Sequence, residues 1–267
     1  MRVRAFLECC ALPKLRGEPP FGGTILSHDF VEAALLCRAG WKVRTATDLG
    51  GSFEELPQTV VEYVARDRRW CQGNLQNARL MAEPGIHPVH RSMFVTGAMA
   101  YLSAPLWLAF MTLGTALWVS GAPVLTDWHI LPTELLALWA WTLSMLFLPR
   151  VLGVLAVFMR REQQQYGGGW SLLKSALLES MLALLQAPVR MLAHSLFVLV
   201  ALTGIALDWK SPPREAQAVP WRHAMAQLAP MTGVIALLAA GIGAIDSGAL
   251  LWLAPVGVPL ALAIPMA

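Results

Sequence analysis

The stretch that decides the fold is residues 93–121, which read MFVTGAMAYLSAPLWLAFMTLGTALWVSG. It contains no charged side chain, and as a helix it is long enough to span the ~30 Å of hydrocarbon in a bilayer. Residues 135–159 form a second apolar run, which is interrupted by Pro149 and Arg150. Both runs predict membrane-spanning helices.

The composition of the whole chain agrees with a membrane protein. Of its 267 residues, 56% are hydrophobic and only 14% are charged, whereas soluble domains carry ~25% charged residues. Most of the charge precedes Met93, and the net charge is a small +3. This balance fits cytoplasmic loops that face anionic lipid better than it fits a nucleic-acid-binding protein. We therefore expect the lipid bilayer as a partner, and no nucleic acid.

The later apolar runs complete the predicted set of spans. Residues 172–207 are apolar but contain polar side chains and Pro188. We expect a short hairpin or a re-entrant pair broken near that proline, because polar groups at membrane depth face a cavity or pair with each other. A single span is the alternative. Residues 224–245 and 247–267 are the last two predicted spans, which makes about six in all.

The placement of lysine and arginine predicts the orientation. Arg160 and Lys174 follow the second span, whereas the loop before that span has no lysine or arginine. The positive-inside rule therefore places residues 1–92 and 160–175 on the cytoplasmic side. The sequence thus predicts a mainly α, polytopic membrane protein, with a cytoplasmic part at 1–92 and a transmembrane domain at 93–267.

The prominent feature of the polar part is the cluster RDRRW at residues 66–70. It lies in a helix predicted from Pro57 to about residue 82. The spacing i, i+3, i+4, i+7 and i+11 puts five residues on one face: Arg66, Arg69, Trp70, Gly73 and Asn77. Arginine forks bind phosphate oxygens, and an indole offers a flat face to a sugar ring or a base. The alternative is a basic collar below a transmembrane helix.

A second candidate is Asp29, near the start of a helix predicted over residues 27–40 and stopped by Gly40. A carboxylate at a helix N-terminus is favoured in its ionised form and can act as a general base. The structural alternative is a capping box formed by Asp29 and Glu32. The pair His28-Asp29 also weakly suggests a metal-dependent phosphohydrolase.

Residues 41–47 alternate between apolar and polar side chains well enough to predict a short strand.

The four cysteines all lie in the polar part, without C-x-x-C spacing: Cys9, Cys10, Cys37 and Cys71. This arrangement argues against a zinc site and against a secreted disulfide framework. Buried packing is the better expectation for Cys71.

Several segments, taken in order, resemble a known family. They read SHDFVEA at 27–33, RDRRWCQGN at 66–74, HPVHR at 87–91, YLSAPLW at 101–107 and WKSP at 209–212. Together they resemble the family 2 glycosyltransferases related to cellulose synthase, in particular the membrane glucosyltransferases of osmoregulated periplasmic glucan synthesis. The resemblance implies that residues 1–92 are the C-terminal remnant of a GT-A-type α/β glycosyltransferase domain.

The resemblance also implies roles for matching residues. Asp29 stands at the catalytic base, and residues 66–70 stand at the family's Q-x-x-R-W element. Arg69 and Trp70 match that element directly, with the tryptophan under the acceptor sugar, whereas Arg66 replaces a glutamine in a diphosphate-binding position. The resemblance further implies that Arg91 lies at the channel mouth and that Trp209-Lys210 belong to a gating loop.

The function implied by the resemblance is transfer of glucose from UDP-glucose to a growing β-glucan in periplasmic glucan biosynthesis, at the bacterial inner membrane. The implied partners are a nucleotide sugar, a glucan acceptor and a periplasmic glucan-processing protein. The alternatives are a non-catalytic truncated relic and a membrane transporter or channel subunit.

The family implies a divalent metal, Mg or Mn, held by a D-x-D motif. Nothing before Asp29 supplies paired aspartates, so we expect no metal ligands in this chain. We also expect the chain to be inactive alone, with the acceptor side and part of the channel but not the donor site.

Overall fold

A computed structural model of the chain describes residues 3–12, 14–18, 21–46, 49–51, 59–121, 133–203, 220–245 and 247–264. Within these ranges the secondary structure is helical. The α-helices are α1 (Val3–Cys9), α2 (His28–Arg38), α3 (Val60–Ala78), α4 (Pro88–Val119), α5 (Thr133–Met159), α6 (Gly169–Leu202), α7 (Trp221–Ile245) and α8 (Ala249–Ala261). Two short 3₁₀ turns, Arg79–Ala82 and Gln163–Tyr166, follow α3 and α5.

Helices long and apolar enough to cross a membrane confirm the polytopic helical class. The described residues contain four of them: Pro88–Leu117, Leu136–Met159, Gly169–Leu202 and Leu228–Ile245. The predicted number was about six. The count differs partly because α8 has only 13 residues, which at 1.5 Å per residue is too short for ~30 Å of hydrocarbon.

The prediction of a hairpin within residues 172–207 is wrong for the part of that segment that the structure describes. Helix α6 runs unbroken from Gly169 to Leu202 with Pro188 inside it. A proline removes one i→i−4 hydrogen bond, but the helix continues where its surroundings and the good helix formers on either side tolerate that loss. The single-span alternative is the one that the helix supports.

The predicted strand at residues 41–47 is also wrong as far as it is described. Residues 41–46 form neither strand nor helix, and in the described ranges the β-type pairing is an isolated antiparallel bridge between Leu15 and Gly23. An alternating pattern forms a strand only when a neighbouring strand pairs with it. By contrast, Gly40 follows α2 with φ of 85°, so the predicted glycine stop is confirmed.

The chain divides into two compact units, residues 1–112 with 189–267 and residues 113–188. The core of the first unit is formed by buried side chains from α3, α4 and the C-terminal part of α6: Cys71, Leu75, Ala98, Tyr101, Phe197, Val198 and Ala201. A second cluster joins α2 to the start of α4 and includes Val31, Ala34, Ile86 and Phe94. In the other unit, Arg150 of α5 lies 3.7 Å from Glu179 of α6.

Candidate functional site

Helix α3 carries the RDRRW cluster, and its N-terminus is fixed by a cap. The hydroxyl of Thr59 accepts a hydrogen bond from the Glu62 backbone amide at 3.2 Å, as in a Thr-x-x-Glu capping box. The predicted capping box at Asp29 and Glu32 is wrong, because α2 begins at His28 with Ser27 as its N-cap residue. Pro57 lies outside the described residues.

Trp70 is the exposed member of the cluster. Its side chain is 49% exposed, and the guanidinium carbon of Arg66 lies 5.5 Å from the centroid of its ring. The same guanidinium lies 5.5 Å from the ring of Tyr63. Arg66 and Arg69 are half-buried. Helix α3 therefore presents an aromatic surface with an arginine held beside it, as the spacing predicted.

The other end of the predicted face is not exposed. Gly73 and Asn77 are buried, because they contact the residue that precedes α2. The amide of Asn77 donates to the Ser27 carbonyl at 2.9 Å, and a Cβ added to Gly73 would lie 2.2 Å from the Ser27 hydroxyl oxygen. The part of this face formed by Gly73 and Asn77 thus packs against the N-terminus of α2, which carries Asp29.

Gln76 holds the preceding loop by three hydrogen bonds. Its Oε1 accepts from the Leu26 amide at 3.0 Å, and its Nε2 lies 3.1 Å from the carbonyl oxygens of both Gly22 and Thr24. The side chain is 1% exposed. An irregular loop that must stay in place needs such partners for its backbone groups. Helix α3 therefore positions Asp29 by clamping residues 22–27.

Asp29 lies in the first turn of α2, and its side chain is 85% exposed. The Nδ1 atom of His28 lies 3.1 Å from Oδ1 of Asp29 and 3.1 Å from Oε1 of Glu32. The carboxylate is thus exposed at a helix N-terminus, where its ionised form is favoured, and its role as a base stays a prediction. Ser27, which precedes α2, contacts Gly73 and Asn77 of α3. These contacts connect the start of α2, where Asp29 lies, to the helix that carries Trp70.

Among the described residues, one cluster of side chains could hold a metal ion, and it consists of the same three residues. One ligand atom from each of His28, Asp29 and Glu32 lies within 4.8 Å of the others. A set of one nitrogen and two carboxylates suits a transition ion such as Mn²⁺ better than Mg²⁺, which prefers oxygen ligands and octahedral geometry. A metal bound here would use the lone pairs of Asp29 that a general base needs.

A buried polar network joins α3 to the membrane helices, and it was not predicted from the sequence. The carboxylate of Asp67 accepts from the Tyr101 hydroxyl at 3.3 Å and pairs with Nε2 of His194 at 2.6 Å. Asp67 is 6% exposed, and Tyr101 is also buried. The one sequence signal was His194, a polar side chain within the apolar run 172–207, which indicated a polar partner without identifying it.

Arg91 has backbone partners near the start of α4, and its channel-mouth role stays a prediction. Its Nε donates to the Ile86 carbonyl and its Nη2 to the Glu83 carbonyl, both at 3.0 Å. These bonds fix the turn between α3 and α4. Trp209 and Lys210 lie outside the described residues.

Cys71 is expected to resist alkylation. Burial, and to a lesser extent the carboxylate of Asp67, raise the pKa of its thiol to about 12. Since the thiolate is the reactive form, a pKa near 12 leaves roughly 10⁻⁴ of the thiol ionised at pH 8. Iodoacetamide labelling followed by peptide mass spectrometry should modify the half-buried Cys9 and Cys37 well before Cys71. Equal labelling of Cys71 and Cys37 at pH 8 would contradict the burial.

The fold and the site together define the class of the protein, which is a polytopic helical membrane protein. One of its helices, α3, carries arginines and a tryptophan, begins with a capping box and is joined to the apolar helices by hydrogen bonds. No family model matches the chain, and no solved structure matches it.

Curated relatives identify the chain more closely. It is 46% identical to glucans biosynthesis glucosyltransferase H of Cupriavidus pinatubonensis, with 100% of this chain and 32% of the relative covered. It is 44% identical to the protein of the same name from Pseudomonas syringae pv. syringae, with 100% and 34% covered. The corresponding protein of Salmonella typhi is 45% identical over 96% of this chain and 32% of its own length.

The chain spans about a third of the length of these relatives, and the match lies in their C-terminal part. Over its whole length it therefore resembles the C-terminal portion of glucans biosynthesis glucosyltransferase H, which confirms the family resemblance seen in the sequence.

Proposed function

We propose that this chain forms the acceptor side of a membrane glucosyltransferase that adds glucose from UDP-glucose to a growing β-glucan in periplasmic glucan biosynthesis. The observation that carries the proposal is the half-exposed Trp70 with Arg66 beside it, on a helix that also clamps the segment bearing Asp29. The names of the relatives support the same reaction.

In the proposed mechanism, Asp29 takes a proton from the acceptor hydroxyl as its oxygen attacks the anomeric carbon of the donor glucose. The bond from that carbon to the diphosphate oxygen breaks, through an oxocarbenium-like transition state of the kind seen in glycoside hydrolysis. The departing diphosphate gains negative charge, which Arg66 and Arg69 stabilise. Trp70 supports the acceptor ring by stacking. A divalent metal bound elsewhere in a full-length protein would supply further charge neutralisation.

We place the protein in the bacterial inner membrane, with residues 1–92 on the cytoplasmic side, where nucleotide sugars are made. The net positive charge and the arginines of the loop after α5, Arg160 and Arg161, support this orientation. Residues 1–92 are proposed to be the end of the glycosyltransferase domain.

Replacing Trp70 by alanine in the full-length protein is expected to lower glucan synthesis at least tenfold without affecting membrane insertion, because the acceptor loses its stacking surface. Synthesis is measured with radiolabelled UDP-glucose, and insertion by membrane fractionation. Trp107→Ala is the matched control, since Trp107 is 55% exposed but lies on the apolar helix α4. Trp70→Phe should retain much of the activity, because phenylalanine keeps a ring.

Unchanged synthesis by Trp70→Ala would reject the acceptor role. It would favour the alternative in which the basic helix is only a collar in a transporter or channel subunit. Normal synthesis by Arg66→Ala in the full-length protein would likewise reject a diphosphate role for Arg66. The relic hypothesis requires that a full-length protein containing this chain makes no glucan at all.

A further inference from the structure

Arg66 is not the only cation beside Tyr63. The guanidinium carbon of Arg190, from α6, lies 4.1 Å from the centroid of the Tyr63 ring, and that of Arg66 lies 5.5 Å from the same centroid. Arg66 and Arg190 are 124 positions apart in the sequence, so the sequence alone did not connect them. The fold brings two guanidinium groups, from two helices, to one aromatic ring.

Neither arginine has a carboxylate partner among the described residues. The ion pairs in those ranges involve Arg4, His28, Arg150 and His194. The buried carboxylate on the same helix, Asp67, is already engaged by His194 and Tyr101. In addition, the Nε atoms of both Arg66 and Arg190 are buried without a hydrogen-bond partner. A buried donor without a partner is costly, and two like charges beside one ring repel each other.

The tyrosine does not neutralise these charges. Burial, followed by the charge of Asp67, raises the pKa of the Tyr63 hydroxyl, even though Arg190 and Arg66 act in the opposite direction. Tyr63 therefore stays a neutral phenol at physiological pH. Its ring holds the two cations by cation–π attraction, and the positive charge remains for a ligand.

We propose that Arg190 and Arg66, which both lie beside the Tyr63 ring, together form a binding site for a phosphate-type anion. Guanidinium groups bind phosphate oxygens in forked pairs, and two of them fit a diphosphate or a phosphodiester. Two sources share this chemistry: the diphosphate of the nucleotide sugar and the phosphate of a lipid headgroup. The diphosphate source rests on the proposed function, whereas the anion site itself does not.

The position of the site favours the diphosphate source. Arg66 lies beside both Tyr63 and Trp70, so an anion between the two arginines would be next to the proposed stacking surface for the acceptor sugar. In a transfer reaction the diphosphate leaves from the carbon that the acceptor attacks. An anion site and an acceptor platform that share one arginine would therefore hold the two reacting groups close together.

The test uses the full-length protein in nanodiscs of zwitterionic lipid. Binding of inorganic pyrophosphate and of UDP is measured by calorimetry for the parent and for Arg190→Gln, which keeps much of the side-chain volume but removes the charge. We expect both ligands to bind at least tenfold more weakly to Arg190→Gln, with partial recovery in Arg190→Lys. Arg150→Gln is the control, because Arg150 is also an arginine of an apolar helix but lies 3.7 Å from Glu179.

The lipid source is tested in the same variants by native mass spectrometry after incubation with phosphatidylglycerol vesicles. Loss of one bound phosphatidylglycerol in Arg190→Gln, with pyrophosphate and UDP binding unchanged, would support the anion site and assign it to a lipid headgroup. Unchanged binding of all three probes would overturn the proposal and leave the arginines with a packing role only. Slow alkylation of Cys71 in each variant verifies that α3 is still packed.

The same measurements give a different result if the anion site exists but the protein is not a glucosyltransferase. If the parent protein binds pyrophosphate but neither binds UDP nor makes glucan, the glucosyltransferase proposal fails. Tighter pyrophosphate binding by the parent than by Arg190→Gln would still support the anion site.

Discussion

Asp67→Ala is expected to destabilise the packing of α3 on the membrane helices by about 1–3 kcal/mol, the usual cost of leaving a buried hydrogen-bonding group without its partner. The substitution leaves His194 without the carboxylate that lies 2.6 Å from its Nε2, and it leaves the buried Tyr101 hydroxyl without an acceptor. Asp67→Asn should cost less, because the amide oxygen can still accept one of these hydrogen bonds.

The effect is measured as a shift in thermal unfolding of the full-length protein in detergent, together with the alkylation rate of Cys71. Cys71 is fully buried beside this network, so its labelling should accelerate when α3 separates from α4 and α6. Glu8→Ala is the control, since it removes an exposed pair with Arg4, which is worth ~0–1 kcal/mol. If Asp67→Ala and Glu8→Ala unfold at the same temperature, the buried network contributes nothing.

Gln76→Ala is expected to reduce glucan synthesis about 100-fold while the membrane helices remain folded. The substitution removes three hydrogen bonds, to the backbone of Gly22, Thr24 and Leu26. Without them, residues 22–27 lose the contacts that seat the start of α2, and Asp29 moves with that segment. A displacement of ~1 Å in a positioned catalytic group is enough for a loss of about 10² in rate.

Hydrogen exchange distinguishes this positioning effect from general unfolding. Hydrogen exchange should speed up at the Leu26 amide, which donates to Gln76 in the parent, but not within α4. Gln165→Ala is the matched control, because Gln165 is an exposed glutamine in the turn after α5. Full activity with rapid exchange at Leu26 would show that the clamp does not position the base, and would argue against Asp29 in that role.

Some of the elements predicted from the sequence were correct, and others were wrong. The apolar runs at 93–121 and 135–159 were predicted as spans; α4 includes residues 93–119 of the first run, and α5 contains the whole of the second. The strand at 41–47 and the hairpin at 172–207 failed, for a common reason. A strand needs a neighbour and a helical break needs surroundings that favour it, and neither is visible in a local pattern.

The candidate site was likewise predicted only in part. The helical period correctly placed Arg66 and Trp70 together, because residues three or four apart on a helix are neighbours. The same period placed Gly73 and Asn77 on that face but could not show that Ser27 covers them. The roles of Asp29, Arg66, Arg69 and Trp70 remain predictions that the experiments above address.

By itself, the sequence determined a polytopic helical membrane protein and the neighbourhood of Arg66 and Trp70. Both follow from local rules, namely the length of an apolar helix and its 3.6-residue period. Only the tertiary structure decided that Asp67 pairs with His194, which is 127 residues away, and that Arg190 joins Arg66 at Tyr63. Such pairings depend on how distant helices pack, because a buried polar group takes whichever partner the fold brings within reach.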